Sequence, residues 1–487
     1  MSRRPAPRSH VLAFALLLTT ILLVTLPLAA GGYGSNQDAA RSAQASETFF
    51  LTGVYHTSRL PGNPVYELLL TTVVPWADSL GANLLNLGFY LACLAAFYRL
   101  VRRQEQGLLL TALFALTPNI LVGAVTAKDF ILGIALLLGA YAAVQKERYW
   151  LAALLCGLAI GCRLTNILFV LPLATYLWLT GVRPRAIALC AASSLLVGLV
   201  WFIPIFAQYH SGMFVLNPNH DSHLTRVLRF VYGLVGLFGL VPTVALAGLL
   251  FLYRRRIVHA LAEIRRPASA PLVLEVTTVL LYVGLFALNA NQIGYILVVV
   301  PFLYLIISRW LPPSWLAAFG VLAFVSGFVT LDLRQGSSGQ RHLGVQPSWG
   351  PVVQEYIARQ DMQRLRHGIG QCVPAPRAVV LTGLGAVLTF RNDALVRVSP
   401  TAISPLLDSA GIGEAANTSR LKRRSVFFVY ALSGRNIRLL RTSGIPVYFF
   451  SEYLPSTEIT EYGYNPYQGG LIRLDISGPT ACYNRGA

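Results

Sequence analysis

Long stretches free of charge and rich in Leu, Val, Ala and Phe recur along the first two thirds of the chain, each near the length a bilayer crossing needs. The first runs from Val11 to Leu28, and the set covers roughly 11–30, 82–100, 107–125, 130–144, 149–162, 166–181, 186–206, 230–253, 272–290, 293–308 and 314–331. This pattern predicts about eleven transmembrane helices. Several runs are short, so some of them read equally well as paired half-helices or re-entrant segments. Beyond 331 the pattern changes. A helix is expected around Val352 to His367, followed by the β-rich runs AVVLTG, SVFFVY and IPVYFF, with a helical stretch Arg435 to Arg441 between the last two. The predicted fold class is an all-α polytopic membrane protein over 1–331 with a C-terminal soluble α/β domain over 332–487.

The polar breaks fall into two alternating sets. One carries Arg3, Arg4, Arg8, Arg102, Arg103, Lys146, Arg148, Arg183, Arg185, Arg254 to Arg256, Arg265, Arg266 and Arg309, and the positive-inside rule makes it cytoplasmic. The other holds the loop of Asp38, turns at Lys128–Asp129 and at Arg163, the loop Gln208 to Arg226, and the turn Asn289 to Gln292. These face the periplasm or lumen, with the N-terminus cytoplasmic and the C-terminal domain on that outer face; the expected membrane is a bacterial inner (plasma) membrane. The basic start and the LPLAAGG sequence also suit a cleaved signal peptide, but the run is longer than a signal core and the alternation requires that it stay.

Composition agrees with the hydropathy pattern: 55% of residues are hydrophobic and 12% charged. The net charge of +19 resides mainly in cations flanking apolar runs, with no basic stripe interleaved with aromatics, so nucleic acid is not an expected partner. Cys93, Cys156, Cys162 and Cys190 lie in apolar runs; Cys372 and Cys482, in the tail, are candidates for a bridge.

Candidate chemistry concentrates in Gly34 to Glu67, GSNQDAARSAQASETFFLTGVYHTSRLPGNPVYE, read as a loop on one membrane face. Asp38 shares it with Arg41, Glu47, His56 and Arg59, ahead of the RLPGNP elbow and an amphipathic stretch from Val65 to Trp76. A carboxylate among cations at a membrane surface suits a general base, with the cations holding an anionic leaving group. It equally suits the N-terminal charge of an interfacial helix. The loop Gln208 to Arg226 gathers His210, His220, Asp221 and His223. That spacing could take a divalent metal, and an ordinary polar loop lip is preferred, so no cofactor is expected.

The order of these pieces resembles the GT-C superfamily of integral-membrane glycosyltransferases, in particular the protein mannosyltransferase and aminoarabinose transferase group. A first span is followed by a large acid-bearing loop and the RLPGNPVYELL turn. TPNILVGAVTAKDF resembles the second acid-bearing loop, LAALLCGLAIGCRLTNILFVLPLATYLWL a glycine-rich span ending at a basic residue, and YILVVVPFLYLII a late span. The resemblance covers roughly 1–331 and implies a hexosyl- or pentosyltransferase of the cell envelope. Its donor would be a polyprenyl-phosphate-linked sugar, its acceptor a glycan, lipid or protein, its surroundings membrane lipids. Asp38 would be the base and Asp129 the second acid, although single acids stand where the family often has pairs; the alternative for Asp129 is a salt bridge with Lys128 that shapes the loop. Arg59, Lys128, Arg163 and Arg226 become candidates for the carrier phosphate, against snorkelling at the interface. Arg41, His56, His220 and Asp221 become candidates for substrate contact. The alternatives are a transporter or flippase of lipid-linked saccharide, and a polysaccharide polymerase or ligase.

Overall fold

The computed structural model describes residues 7–34, 36–210, 223–256, 258, 269–290, 293–335, 343–373, 375–382, 385–398, 418–429, 439–440, 442–450, 472–475 and 483–485. The chain divides into two compact units: Met1–Ala30 with Ala45–Gln354, and Gly31–Gln44 with Glu355–Ala487.

The first unit is helical. Among its described residues, four helices are long and apolar enough to cross a membrane: Leu12–Ala30 in α1 (Pro7–Ala30), α4 (Val74–Val101), Pro184–Tyr209 and Ala270–Leu288. Two further apolar pairs are bent, α5 (Gly107–Ala115) with α6 (Pro118–Ala124) by 68° and Arg226–Gly236 with Leu240–Leu252 by 87°. Shorter apolar helices are α7 (Phe130–Val144), α8 (Tyr149–Cys162), Leu164–Leu179 and Pro313–Ser326. The first bend has a local cause, since Pro118 cannot continue the α5 ladder and instead starts α6 at its first position. The bends are tied together: Asn119 of α6 donates to the carbonyls of Gly236 (2.6 Å) and Leu237 (3.3 Å), where the second pair breaks.

Small residues let the helices approach. A Cβ at Gly157 would stand 2.6 Å from the Val197 Cβ, and one at Gly198 would stand 2.6 Å from the Ile160 Cβ, so α8 crosses the Pro184–Leu199 helix nearly backbone to backbone. Buried Glu275 accepts hydrogen bonds from the partly exposed Arg309 (2.7 Å) and from the Tyr141 hydroxyl (3.1 Å). Paired in this way the charge is tolerated where an isolated one would not be.

Two stretches differ from the sequence reading. The polar segment after α1 contains a regular helix, α2 (Gln37–Thr52), in place of a loop. Asn36 caps it through Oδ1, which accepts the Asp38 N–H at 2.9 Å, and Ala39, Ala40 and Ala43 bury its small face. The amphipathic stretch expected over Val65 to Trp76 is a short helix, α3 (Pro64–Leu70), with the next helix already begun at Val74.

The first unit ends in the antiparallel strands β1 (Val329–Gln335) and β2 (Leu343–Trp349). In the second unit, helix Pro351–Cys372 precedes a mixed sheet in the order β4 (Leu395–Val398), β5 (Thr418–Leu421), β6 (Ser425–Val429), β3 (Arg377–Leu381), β7 (Val447–Phe450), β8 (Ile472–Asp475) and β9 (Tyr483–Arg485). Strands β3, β6, β7 and β8 run parallel, and β4, β5 and β9 pair antiparallel. The three β-rich runs of the sequence supply β3, β6 and β7; the helical stretch expected over Arg435 to Arg441 falls almost wholly outside the described residues. Gly31–Gln44 joins this unit: the Tyr33 ring meets Phe390 edge-on (5.5 Å), and fully buried Arg359 donates to the Gly32 carbonyl (2.8 Å) and to Glu355 (2.7 Å). Cys372 is disulfide-bonded and the four cysteines of the apolar runs are free thiols, while Cys482 lies outside the described residues.

Candidate functional site

Three chain segments of the first unit converge on Asp129. The first is the loop between α6 and α7. Buried Asn86 of α4 donates to the carbonyls of Gly123 (2.6 Å) and Thr126 (2.7 Å), satisfying the backbone where α6 ends and setting the turn that delivers Lys128 and Asp129. Asp129 then precedes α7, its carbonyl accepting the Gly133 N–H at 3.0 Å.

The second segment is the end of α8. The backbone turns extended at Arg163, whose Nη1 donates to Asp129 Oδ2 at 2.9 Å and whose Nε donates to Thr165 at 3.2 Å. The guanidinium lies between two rings, 4.1 Å from the Phe130 centroid and 4.2 Å from that of Tyr295. Stacking, a carboxylate and a hydroxyl together hold a cation that is only 8% exposed. Lys128 Nζ also stands over Phe130, at 5.5 Å from its centroid.

The third segment is the strap Gly53–Asn63, which carries Arg59. Arg59 Nη2 lies 3.5 Å from Asp129 Oδ1, and its guanidinium keeps 21% exposure. The strap passes close beneath its neighbours at Gly62, where φ is +94° and a Cβ would stand 2.5 Å from Thr57 Oγ1 and 2.8 Å from Ile205. Only glycine fits both constraints. The Asn63 amide nitrogen, in the orientation that satisfies both carbonyls, donates to Gly62 (3.1 Å) and to Cys162 (3.2 Å), joining the strap to the residue before Arg163.

Two buried groups of α3 complete the surroundings. Glu67, 1% exposed, accepts hydrogen bonds from the Tyr55 hydroxyl (2.6 Å) and from the Ser58 hydroxyl, while its backbone carbonyl accepts from Ser46 (2.7 Å). Burial pushes the Glu67 carboxyl above its ordinary range, with the Ser58 and Tyr55 bonds pulling the other way. Burial, with Glu67 adding to it, pushes the Tyr55 phenol far up, so that it stays a donor. Tyr66 is fully buried beside this cluster, and burial followed by the Asp129 charge raises its phenol well above the usual range. Its hydroxyl has no hydrogen-bond partner among the described residues.

The wall of this site depends on a missing side chain. A Cβ at Gly294 would run into the Phe130 ring that stacks on Arg163. Gly294→Ala should therefore displace Phe130 and cost roughly 1–3 kcal/mol as overpacking. Thermal unfolding in detergent should show the loss, and unchanged stability would mean that the ring moves aside freely.

Of the residues the sequence proposed, Asp129, Arg59, Arg163 and Lys128 come together. Asp38 and Arg41 lie on the part of α2 that belongs to the second unit. Asp38 is half-buried in the first turn, and Arg41 donates to Gln37 (3.0 Å). His56 is exposed, its Nδ1 3.4 Å from Gln208 Nε2, and Arg226 is exposed near the start of helix His223–Gly236. His220 and Asp221 lie outside the described residues. Among the described residues no group of three His, Cys, Asp or Glu side chains is placed to hold a metal. Glu67, Asn86, Phe130 and Tyr295 were missed. A sequence signal existed for Glu67, an acid following the hydroxyl-rich YHTS by one elbow.

No protein-family model and no curated protein matches the chain. Solved structures do. ArnT from Cupriavidus metallidurans in the apo state is 15% identical with a TM-score of 0.53, over 78% of this chain and 84% of that one. The same protein bound to undecaprenyl phosphate is 15% identical with a TM-score of 0.52, over 79% of this chain and 85% of that one. At this identity the likeness concerns architecture: the chain has the fold of ArnT, the neighbour expected from the GT-C resemblance of its sequence.

Proposed function

We propose that this protein is a GT-C-type membrane glycosyltransferase that moves a sugar from a polyprenyl-phosphate carrier to an acceptor hydroxyl at the outer face. The observation that carries this reading is the shared fold with a protein solved bound to undecaprenyl phosphate, in a chain that sets two arginines on one carboxylate with Lys128 beside them over Phe130. Arg59 and Arg163 meet Asp129, and Lys128 stands next to it over Phe130. Clustered cations of this kind are the chemical complement of a phosphate.

In the proposed reaction a carboxylate base, for which the sequence resemblance names Asp38, takes the proton of the acceptor hydroxyl. The acceptor oxygen bonds to the anomeric carbon from the face opposite the carrier, the bond from that carbon to the phosphate oxygen breaks, and the electron pair leaves with the polyprenyl phosphate. Displacement in one step inverts the configuration. Arg59 and Lys128, the more exposed cations, are the proposed phosphate contacts, with Arg163 held by Asp129 behind them. The cation asymmetry of the sequence supports an outer-face site. Four full spans, two bent pairs counted once each and four shorter apolar helices make ten among the described residues, and the hydropathy pattern of the sequence supports the proposal of about eleven crossings. The sheet unit, corresponding to most of 332–487, is proposed to stand outside the membrane. No cofactor is invoked.

Arg59→Ala and Lys128→Ala test the reading. Each removes a charge-assisted contact worth about 1.5–3 kcal/mol, roughly tenfold or more in affinity. Titration of the purified protein with undecaprenyl phosphate should weaken by that factor, and dependence on the lipid-linked donor should change more than dependence on the acceptor. Parental binding by both variants would remove the cations from the phosphate site and with them the main support for the donor class.

A further inference from the structure

Glu67 is the most deeply buried carboxyl of the strap region, and the displacement chemistry above has no use for it. Its two oxygens are both occupied, Oε2 by the Tyr55 hydroxyl and Oε1 by the Ser58 hydroxyl. These donors lie on the strap, and Ser58 is adjacent to Arg59. Thr57 closes the same turn from within, its hydroxyl donating to the Arg59 carbonyl at 2.7 Å. Glu67 itself is fixed from two sides. It stands in the first turn of α3, where its N–H donates to the Asn63 carbonyl (2.9 Å), and its own carbonyl accepts from Ser46 on α2.

We propose that Glu67 is a positioning residue for Arg59: by accepting both strap hydroxyls it latches the Gly53–Asn63 strap so that the Arg59 guanidinium stands beside Asp129. The functional part of this proposal rests on the reading of Arg59 as a phosphate contact. On a free strap the backbone that carries Arg59 would range over many conformations and forfeit that entropy on each binding event. A strap fixed at Tyr55, Ser58, Thr57 and Asn63 has already lost that freedom. Burial serves the same end, because hydroxyl-to-carboxyl bonds are strong where water does not compete.

The latch separates from a chemical role through substitution. Glutamine keeps the shape, and its amide can bond both hydroxyls, since a hydroxyl accepts as readily as it donates. Alanine removes both bonds. With undecaprenyl phosphate as probe and the full-length protein in detergent, Glu67→Ala should weaken binding about tenfold, Ser58→Ala with Tyr55→Phe by a similar factor, and Glu67→Gln by less than about threefold. In an Arg59→Ala background Glu67→Ala should add less than about twofold, because a residue acting through Arg59 has nothing left to act on. Hydrogen exchange of the 54–60 amides should rise in Glu67→Ala and in the Ser58/Tyr55 variant. Equal weakening by Glu67→Ala in both backgrounds, or Glu67→Gln as damaging as Glu67→Ala, would overturn the latch. Unchanged exchange over 54–60 would overturn it as well, independently of any ligand. A neutral Arg59→Ala would instead strike at the phosphate reading, so the two failures are distinguishable. If Glu67→Ala does not fold, the Ser58→Ala/Tyr55→Phe pair carries the same cycle.

Discussion

Asp38→Asn should lower turnover by roughly a hundred to ten thousand fold while the protein folds as before. The substitution keeps the side chain's size and most of its hydrogen-bonding capacity and removes its charge and its ability to take a proton. Asp38 occupies the first turn of α2, where its N–H is bonded to Asn36 Oδ1 and where a negative charge interacts favourably with the helix dipole. Losing that charge costs a few tenths of a kcal/mol to about 1 kcal/mol, too little to unfold a protein of this size. The two readings of Asp38 therefore predict different things. As a base it is indispensable to rate, and as a dipole partner it is nearly dispensable altogether. Turnover should be compared among Asp38→Asn, Glu47→Gln and the parent, with melting temperatures matched. Parental turnover in Asp38→Asn would end its candidacy as base.

Asp129→Ala should be the most destabilising single change at the site, by about 3–5 kcal/mol. The loss comes from what remains: Arg163, 8% exposed and stacked between Phe130 and Tyr295, would keep a charge with no carboxylate beside it. Asp129→Asn should cost less, because its amide oxygen still accepts from the guanidinium. Removing both charges with apolar replacements should recover part of the loss, which a double-mutant cycle on melting temperature would measure. If Asp129→Ala melted with the parent yet lost turnover, Asp129 would be a participant in chemistry and its ion pair incidental to folding.

How much of this was legible in the sequence depends on which property carried the signal. Hydropathy located the apolar helices, but not their bends. The run 107–125 reads as one span because periodicity has no term for direction, and only Pro118, after Thr117, marks the 68° break. The sequence of α2 reads as a loop because its buried face is alanine and serine, residues that register weakly on any apolar scale; Ala39, Ala40, Ser42 and Ala43 nevertheless pack inside. The acids and cations were visible as residue types, and Asp129, Arg59, Lys128 and Arg163 were each singled out. Their meeting was not visible, since Arg163 reaches Asp129 across 34 positions. Glu67 and Asn86 escaped because a buried polar side chain is recognised by its partners, and those are set by tertiary contact.

The chain enters the sheet unit twice, at Gly31–Gln44 and again from Glu355, and α2 begins in one unit and ends in the other. Continuity in sequence and continuity in packing therefore part company here. A fragment cut at Asp332 would leave the Arg359 guanidinium without the Gly32 carbonyl and Phe390 without the Tyr33 ring, exposing a charge and an aromatic face that the whole chain buries. For the same reason a recombinant exchange of residues 355–487 between relatives would have to carry 31–44 with it. The same contacts hold the chain just ahead of the helix that bears Asp38, so whatever loosens the sheet unit's grip on Gly32 or Tyr33 loosens the approach to that helix.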